Sequence, residues 1–263
     1  PSHADFTAFV RYGGFNDQRG GGHFSARLTA PLVFAGALCR QLLLSDGIAV
    51  GSHLKSVADV EDDAFDATDV DEALLKRLSS MPFPVINEGA GRRMREAILA
   101  AAAEGDSLGG VIECAVTGLP QGLGCPVFGN VESRFSSALF AIPAVKGVEF
   151  GDGFRLGAMR GSEANDSFAL KNGRVQTKTN HSGGVLGGIT TGMPLVFRVA
   201  VKPTPSIRKP QTTLNIKTGA EQTLCVTGRH DPCVAVRGAA VVEAVAAIAA
   251  ADLVLEGRGY HGA

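Results

Sequence analysis

The sequence predicts an α+β fold in a single domain spanning residues 1–263. Hydrophobic residues make up 45% of the chain and charged residues only 19%, a composition typical of a well-filled globular core. Segments with helical spacing and apolar strand-like segments do not alternate regularly enough for a doubly wound parallel sheet, so a layered α+β arrangement is favoured. No internal repeat and no linker divides the chain.

The first half of the chain predicts three helices and two strands. In "LTAPLVFAGALCRQLLL" apolar residues recur every three to four positions, Pro31 stands in the first turn, and Ser25 or Thr29 is the candidate N-cap. "GIAVGSHLKSVADV" alternates as a strand does, and "GGVIECAVTGLP" reads as a second strand. "EALLKRLSS" and "GRRMREAILAAAAEG" are amphipathic at the helical period.

The second half predicts two more helices, two strands and a hairpin. "SRFSSALFAI" favours a helix, "KGVEFG" a short strand and "PLVFRVAVKP" a buried strand. "TTLNIKTGAEQTLCVTG" predicts a hairpin that turns at Thr218 and Gly219. The last helix is expected from about residue 239 to 255, where its many alanines allow close helix packing.

Charge and cysteine content exclude several classes of protein. The net charge of -1 provides no field for nucleic acid or an anionic membrane, and the absence of tryptophan removes an obvious stacking platform for single strands. No apolar stretch predicts a signal peptide or a membrane span. The five cysteines are scattered without a CxxC pair, so no disulfide framework and no metal site is predicted, and a cytoplasmic location is expected.

The stretch "RGGGHFSARLTA" suggests a local anion site. Three glycines lead into a predicted helix start, whose free N–H groups and dipole favour an anion. Arg27, one turn into the helix, could reach the same phosphate with two donors. A glycine loop that serves only close packing is about as probable from these residues alone, because the lysine of a phosphate-binding P-loop is absent.

Two further segments carry candidate chemistry. "GRHDPC" places Arg229, His230 and Asp231 before a very apolar helix, and Arg237 follows in it. An Arg229–Asp231 ion pair that caps the helix is the purely structural alternative. "NHSGGVLGGITTG" holds two Gly-Gly pairs, which fit either tight turns or close approach to a flat ligand, and "VKPTPS" follows it.

Taken together, "PSHADFT", "DQRGGGHFSARLTA", "IPAVKGVEFGDGF", "NHSGGVLGGITTG", "VKPTPSI" and "GRHDPCVAVRGAAVVEA" resemble chorismate synthase, in this order and across essentially the whole chain. The resemblance implies a β-α-β sandwich fold, a homotetramer, and anti 1,4-elimination of phosphate from 5-enolpyruvylshikimate 3-phosphate to give chorismate. It also implies reduced FMN as cofactor, with NADPH only as an indirect source of reduced flavin.

The resemblance also implies roles for individual residues. His3 matches a histidine that donates a proton to the reduced flavin, and Asp231 an aspartate that assists proton removal near the flavin N5. Arg27 and Arg237 match substrate-binding arginines. The residues that match FMN-binding positions are His23, Phe24, Ser25, Pro143, Ala144, Gly187, Lys202, Pro203, Thr204, Pro205, Ser206 and Arg229.

The sequence departs from the family pattern in two places. His23-Phe24 stands where Arg-Ser is common, so a titratable ring replaces a cationic FMN contact. The family's N-terminal segment, with a histidine that protonates the leaving phosphate, has no counterpart before Pro1. A poor catalyst is therefore expected, and the alternatives are an impaired fragment with a bare sheet edge or a protein that binds FMN or a phosphorylated ligand without catalysis.

Overall fold

The computed structural model describes residues 1–17, 19–171 and 173–261, and the helices and strands are distributed along all of that range. The helices are α1 Asp5–Arg11, α2 Thr29–Ser45, α3 Glu72–Ser79, α4 Glu88–Ala103, α5 Val131–Phe140, α6 Gly161–Ala164 and α7 Ala235–His261. The strands are β1 Ala49–Val57, β2 Val60–Glu61, β3 Gly110–Thr117, β4 Val145–Phe150, β5 Phe168–Lys171, β6 Arg174–Thr177, β7 Val185–Leu186, β8 Ile189–Thr190, β9 Leu195–Val201, β10 Gln211–Leu214 and β11 Glu221–Leu224.

A five-stranded antiparallel sheet in the order β2-β1-β3-β9-β4 forms the centre of the fold. Its middle strands β3 and β9 carry near-continuous apolar runs, as expected for strands covered on both faces. The registers place His53 opposite Glu113, and Glu113 opposite Arg198. Three charged or titratable side chains therefore lie side by side on one face of the sheet.

Helices cover the two faces of this sheet. On one face, α7 lies against β1, where the Ser52 hydroxyl donates a 2.9 Å hydrogen bond to the carbonyl of Ala239. On the other face, α3 packs so closely that a Cβ atom on Gly51 would lie 2.8 Å from the Cβ atom of Leu75. The side chains alternate between the two faces along each strand, so each face has its own apolar cluster.

Helix α2 packs directly against α7. Gly36 makes it possible, because a Cβ atom there would lie 2.5 Å from the Cα atom of Ala244. Nearby, the buried carboxylate of Glu243 pairs with Arg40 and accepts hydrogen bonds from the Ser79 hydroxyl and the Ser52 amide. Burial raises the pKa of Glu243, although these partners oppose the shift. The carboxylate thus ties α7 to α2, α3 and β1.

The outer face of α2 carries several exposed apolar side chains. Phe34 is 70% exposed, and Leu38 and Leu42 lie one and two turns further along the same face. Two segments, Ala26–Ser45 and Ala235–Gly259, are long and apolar enough to cross a membrane by length and composition, and the second is mostly buried inside the fold. An exposed apolar stripe therefore runs along the outer face of α2.

The predicted α+β class and the predicted helices, strands and hairpin are confirmed, with boundaries that differ in several places. Thr29 is the first residue of α2 and not its N-cap, since Ser25 caps a short 3-10 helix before it. The first predicted strand ends at Val57 and turns back through Ala58 into β2. The last helix extends beyond its predicted bounds at both ends, from Ala235 to His261. The short helices α1 and α6 and the two small hairpins β5–β6 and β7–β8 were not predicted.

Candidate active site

Two cavities adjoin at Asp231, which lines both of them. The first, of about 400 Å³, lies between the turn after α4 and the two segments 206–208 and 228–232. The second, of about 360 Å³, lies between α4 and the beginning of α7. Both volumes fall in the range of small-molecule sites. The structure therefore places the predicted catalytic carboxylate between two spaces that could each hold a ligand.

Three neighbours fix the backbone and side chain of Asp231, and a fourth fixes the residue after it. Its carboxylate accepts a 3.1 Å hydrogen bond from the amide of Cys233, and its Oδ2 lies 3.1 Å from Nε of Arg237. Its carbonyl accepts a 2.8 Å bond from the Thr204 hydroxyl, and the next carbonyl, of Pro232, accepts one from the Leu108 amide. The Arg229–Asp231 pair considered from the sequence is not formed, because Arg237 takes that place.

The segment Lys202–Ser206 follows the end of β9 and begins beside the start of β4. The amide of Lys202 donates to the carbonyl of Ala144, which has a left-handed backbone with φ of 72°. The Thr204 carbonyl accepts a 2.7 Å hydrogen bond from the hydroxyl of Ser107. Ser206 and Arg229 line the first cavity together with Asp231. Most of the predicted flavin residues therefore lie at one end of the sheet.

The N-terminal candidates reach the same end of the sheet. Nζ of Lys202 donates a 2.7 Å hydrogen bond to the carbonyl of Ser2, the residue before His3. Nδ1 of His3 lies 3.1 Å from a carboxylate oxygen of Asp5, and a Cβ atom on Gly21 would lie 3.9 Å from the His3 ring. His3 therefore lies between the segment at Lys202 and the glycine loop.

The glycine loop differs from the predicted helix start. Arg19–Phe24 forms a 3-10 helix, and a second short one, Ala26–Leu28, holds Arg27 before α2 begins. The side chains of His23, Phe24 and Arg27 are exposed on this segment. The exposed side chains of the loop can thus contact a ligand. The N-terminus of α2 does not follow the loop directly, because the short 3-10 helix Ala26–Leu28 lies between them.

Gly187 lies apart from the other predicted flavin residues. It is the turn residue of the β7–β8 hairpin, next to Gly188, whose added Cβ atom would lie 2.4 Å from that of Asn130. The hairpin begins beside Leu195, at the start of β9, whereas Lys202 follows the end of that strand. A seven-residue strand separates two such ends by about 20 Å. Within one chain, Gly187 is not brought to the first cavity.

A buried charged network, which the sequence did not reveal as a unit, lies on the α3 face of the sheet. His53, fully buried, has Nδ1 3.1 Å from a carboxylate oxygen of Asp62 and Nε2 3.0 Å from one of Glu113. Arg198 pairs with Glu113 at 2.9 Å and with Glu149 at 3.3 Å. The only sequence signal was a histidine and a glutamate inside apolar strands.

The pKa values in this network depart from their ordinary ranges. Burial opposes charge on His53, but hydrogen bonds to Asp62 and Glu113 outweigh it and raise the histidine pKa. Burial likewise opposes ionisation of the two carboxyls, yet the bonds from His53 and from the backbone amides of Phe65, Ile86 and Asn87 lower their pKa values. The network therefore consists of ionised groups, and its carboxylates accept hydrogen bonds from loop amides, which attaches these loops to the sheet.

Comparisons with known proteins agree with this architecture. A family model described as "Chorismate synthase" matches residues 1–255. The chorismate synthase of Dehalococcoides mccartyi strain 195 is 49% identical over 97% of this chain, which covers 69% of that protein. That of Thermococcus gammatolerans is 47% identical over 100% of the chain and 72% of its own length. A crystal structure of chorismate synthase superposes with a TM-score of 0.79 at 28% identity, over 97% of this chain and 71% of its own. This chain belongs to the chorismate synthase family.

Proposed function

We propose that the chain catalyses the anti 1,4-elimination of phosphate from 5-enolpyruvylshikimate 3-phosphate, giving chorismate, with reduced FMN as cofactor. The observation that carries the proposal is the position of Asp231, which lines both cavities. Residues that the resemblance assigns to the flavin, Ser206 and Arg229, line the first cavity, and Arg237, assigned to the substrate, lines the second. The proposal includes a cytoplasmic location and a role in the biosynthesis of aromatic amino acids.

The first cavity suits a phosphorylated, anionic cofactor. Its lining includes the cationic side chains of Arg208 and Arg229 and the ring of His230. Its two carboxylates, Asp106 and Asp231, are already paired with Lys209 and Arg237. Lys202, at the base of the same segment, supplies a further charge close to Ser2. A flavin phosphate needs several fixed donors of this kind, which guanidinium groups provide in pairs. Reduced FMN bound there would supply the transient electron donation that helps to expel phosphate.

The chain's own residues would handle charge and protons around that cofactor. Asp231, held in place by Arg237 and the Cys233 amide, is the carboxylate that would accept a proton at its oxygen atoms. His3 has Nδ1 bonded to Asp5, which leaves Nε2 to donate a proton to the cofactor. Arg27 and Arg237 would bind the anionic groups of the substrate.

Replacing Arg229 with alanine is expected to raise the dissociation constant for FMN about 10–100-fold, because one charge-assisted hydrogen bond to a phosphate is lost. Flavin fluorescence titration, with oxidised and reduced FMN, measures this. Arg77→Ala, an exposed arginine in the last turn of α3, is the matched control and should bind as the parent does. Equal affinity for all three proteins would contradict the flavin assignment. Binding without any chorismate formed would instead favour the non-catalytic alternative.

A second copy of the chain explains the position of Gly187, and we propose that the flavin site of a homotetramer lies between two copies. One chain would supply Lys202–Ser206 and Arg229, and the other the hairpin turn at Gly187. Non-glycine residues at that turn are strained by its φ of +61°, but a Cβ atom meets no neighbour within 4 Å, so Gly187→Asp is expected to fold.

Mixing Gly187→Asp with Arg229→Ala tests this arrangement. If each site is shared by two copies, random exchange of subunits restores about a quarter of the sites. These are the sites that take the intact Gly187 from one copy and the intact Arg229 from the other. Flavin titration of the refolded mixture against each variant alone measures the recovery. No recovery in a mixture whose subunits have exchanged means that the site does not combine the two residues across copies.

A further inference from the structure

The second cavity contains an arginine that the proposed function does not use. Arg95, on α4, has its guanidinium carbon 4.5 Å from the centroid of the Phe83 ring, and both side chains are half-buried. This stacking restricts the guanidinium to one plane and leaves its edge donors available. Arg95 is therefore a positioned cation in the wall of a cavity.

The charge of this cavity is not balanced. Its lining holds two arginines, Arg95 and Arg237, and one carboxylate, Asp231, which is already paired with Arg237 at 3.1 Å. Burial raises the pKa of the Cys233 thiol, so that side chain stays neutral. In the described part of the chain, no carboxylate forms an ion pair with Arg95. The cavity thus carries one uncompensated positive charge.

The remaining walls are apolar and the mouth is open. Ile98, Leu99 and Val236 line the cavity beside Phe83, and Leu99 is 69% exposed, so a ligand can enter from solvent. A volume of about 360 Å³ accommodates one small ring with its substituents. An apolar wall beside an unpaired guanidinium suits a compound that has both a hydrocarbon ring and an anionic group.

We propose that Arg95 is a substrate-binding residue, which holds an anionic group of the cyclic substrate in the second cavity while Ile98, Leu99 and Val236 contact its ring. This inference rests on the proposed function, because it identifies the ligand as 5-enolpyruvylshikimate 3-phosphate. Arg237 lines the same cavity and provides a second cation there. Asp231 then lies next to both the bound ring and the first cavity, where the flavin is proposed.

The test is a calorimetric titration of 5-enolpyruvylshikimate 3-phosphate into the FMN-loaded parent chain, Arg95→Met, Arg95→Lys and Arg92→Met. Methionine keeps an apolar contact with Phe83 and removes the charge. Arg95→Met should bind the substrate about 10–100-fold more weakly, with FMN affinity unchanged. Arg92, exposed on the same helix, is the control and should bind substrate as the parent does.

The lysine variant separates charge from packing. Lysine keeps the positive charge without the planar fork, so Arg95→Lys should recover part of the lost affinity. Two results would overturn the role of Arg95 while leaving the proposed function intact. One is that Arg95→Met binds the substrate as tightly as the parent does. The other is that the methionine and lysine variants lose substrate affinity equally. A parent chain that binds FMN but no substrate would overturn both, and thermal melting of each variant shows whether the fold is retained.

Discussion

Replacing Glu113 with glutamine is expected to lower the free energy of unfolding by about 3–5 kcal/mol, since removing one partner of a buried ionic network leaves the others uncompensated. Glu113 is 1% exposed and touches His53, Arg198 and the Phe65 amide. For a chain of this size the loss corresponds to a fall in Tm of roughly 6–20 °C. Urea unfolding and thermal melting, both followed by circular dichroism, measure it.

Glu61→Gln is the matched control for that experiment. Glu61 lies on the neighbouring strand β2, pairs with Lys55 at 3.2 Å and has a side chain that is 76% exposed. Exposed pairs of this kind contribute at most about 1 kcal/mol, so the control should melt close to the parent. Equal losses in the two variants would show that the buried network contributes no more than a surface pair.

The same network predicts how stability depends on pH. The pKa values of Asp62 and Glu113 are lowered in the fold, so their contribution is complete above about pH 4.3 and is lost as the pH falls through the lowered values. The pKa of His53 is raised, so its contribution is complete below about pH 6.5 and is lost as the pH rises through the raised value. The stability difference between the parent and Glu113→Gln should therefore be largest between these limits.

The local features of the fold could be predicted from the sequence, and the long-range ones could not. The helix α2 and the strand β9 follow from apolar periodicity, which depends only on near neighbours. The pairing of His53 with Glu113 joins residues far apart in the chain, and only the strand register places them together. Gly36 appears in the sequence as an ordinary helix glycine until α7 is packed against it.

The candidate site shows the same division. The motifs around Lys202 and Asp231 were found because each is a short continuous stretch, and the structure brings them together through Thr204. Which cation pairs with Asp231 depends on the angle at which α7 begins, so the sequence suggested Arg229 where the structure has Arg237. The distance of Gly187 from this site likewise depends on the full length of β9.

Asp231→Asn is expected to reduce the rate of chorismate formation by about 10²–10⁴-fold while FMN affinity stays near that of the parent. Asparagine has the same shape, and its side-chain oxygen can still accept the hydrogen bond from the Cys233 amide. The substitution removes the basic oxygen that faces Arg237 and with it the group proposed to accept the proton. An anaerobic single-turnover assay with reduced FMN, following chorismate and released phosphate, measures the change.

The pH profile distinguishes a proton acceptor from a residue that only supports the fold. If Asp231 acts as the base, the acidic limb of the parent's rate profile reports its protonation and should be absent in Asp231→Asn. Asp252→Asn, on the outer face of α7 with a side chain that is 79% exposed, should keep both the rate and the limb. An unchanged rate in Asp231→Asn would rule out the proposed role. A reduced rate with the acidic limb retained would instead make Asp231 a positioning residue that holds Arg237 in place. A carboxylate that lines both cavities can organise the site in this way without accepting the proton.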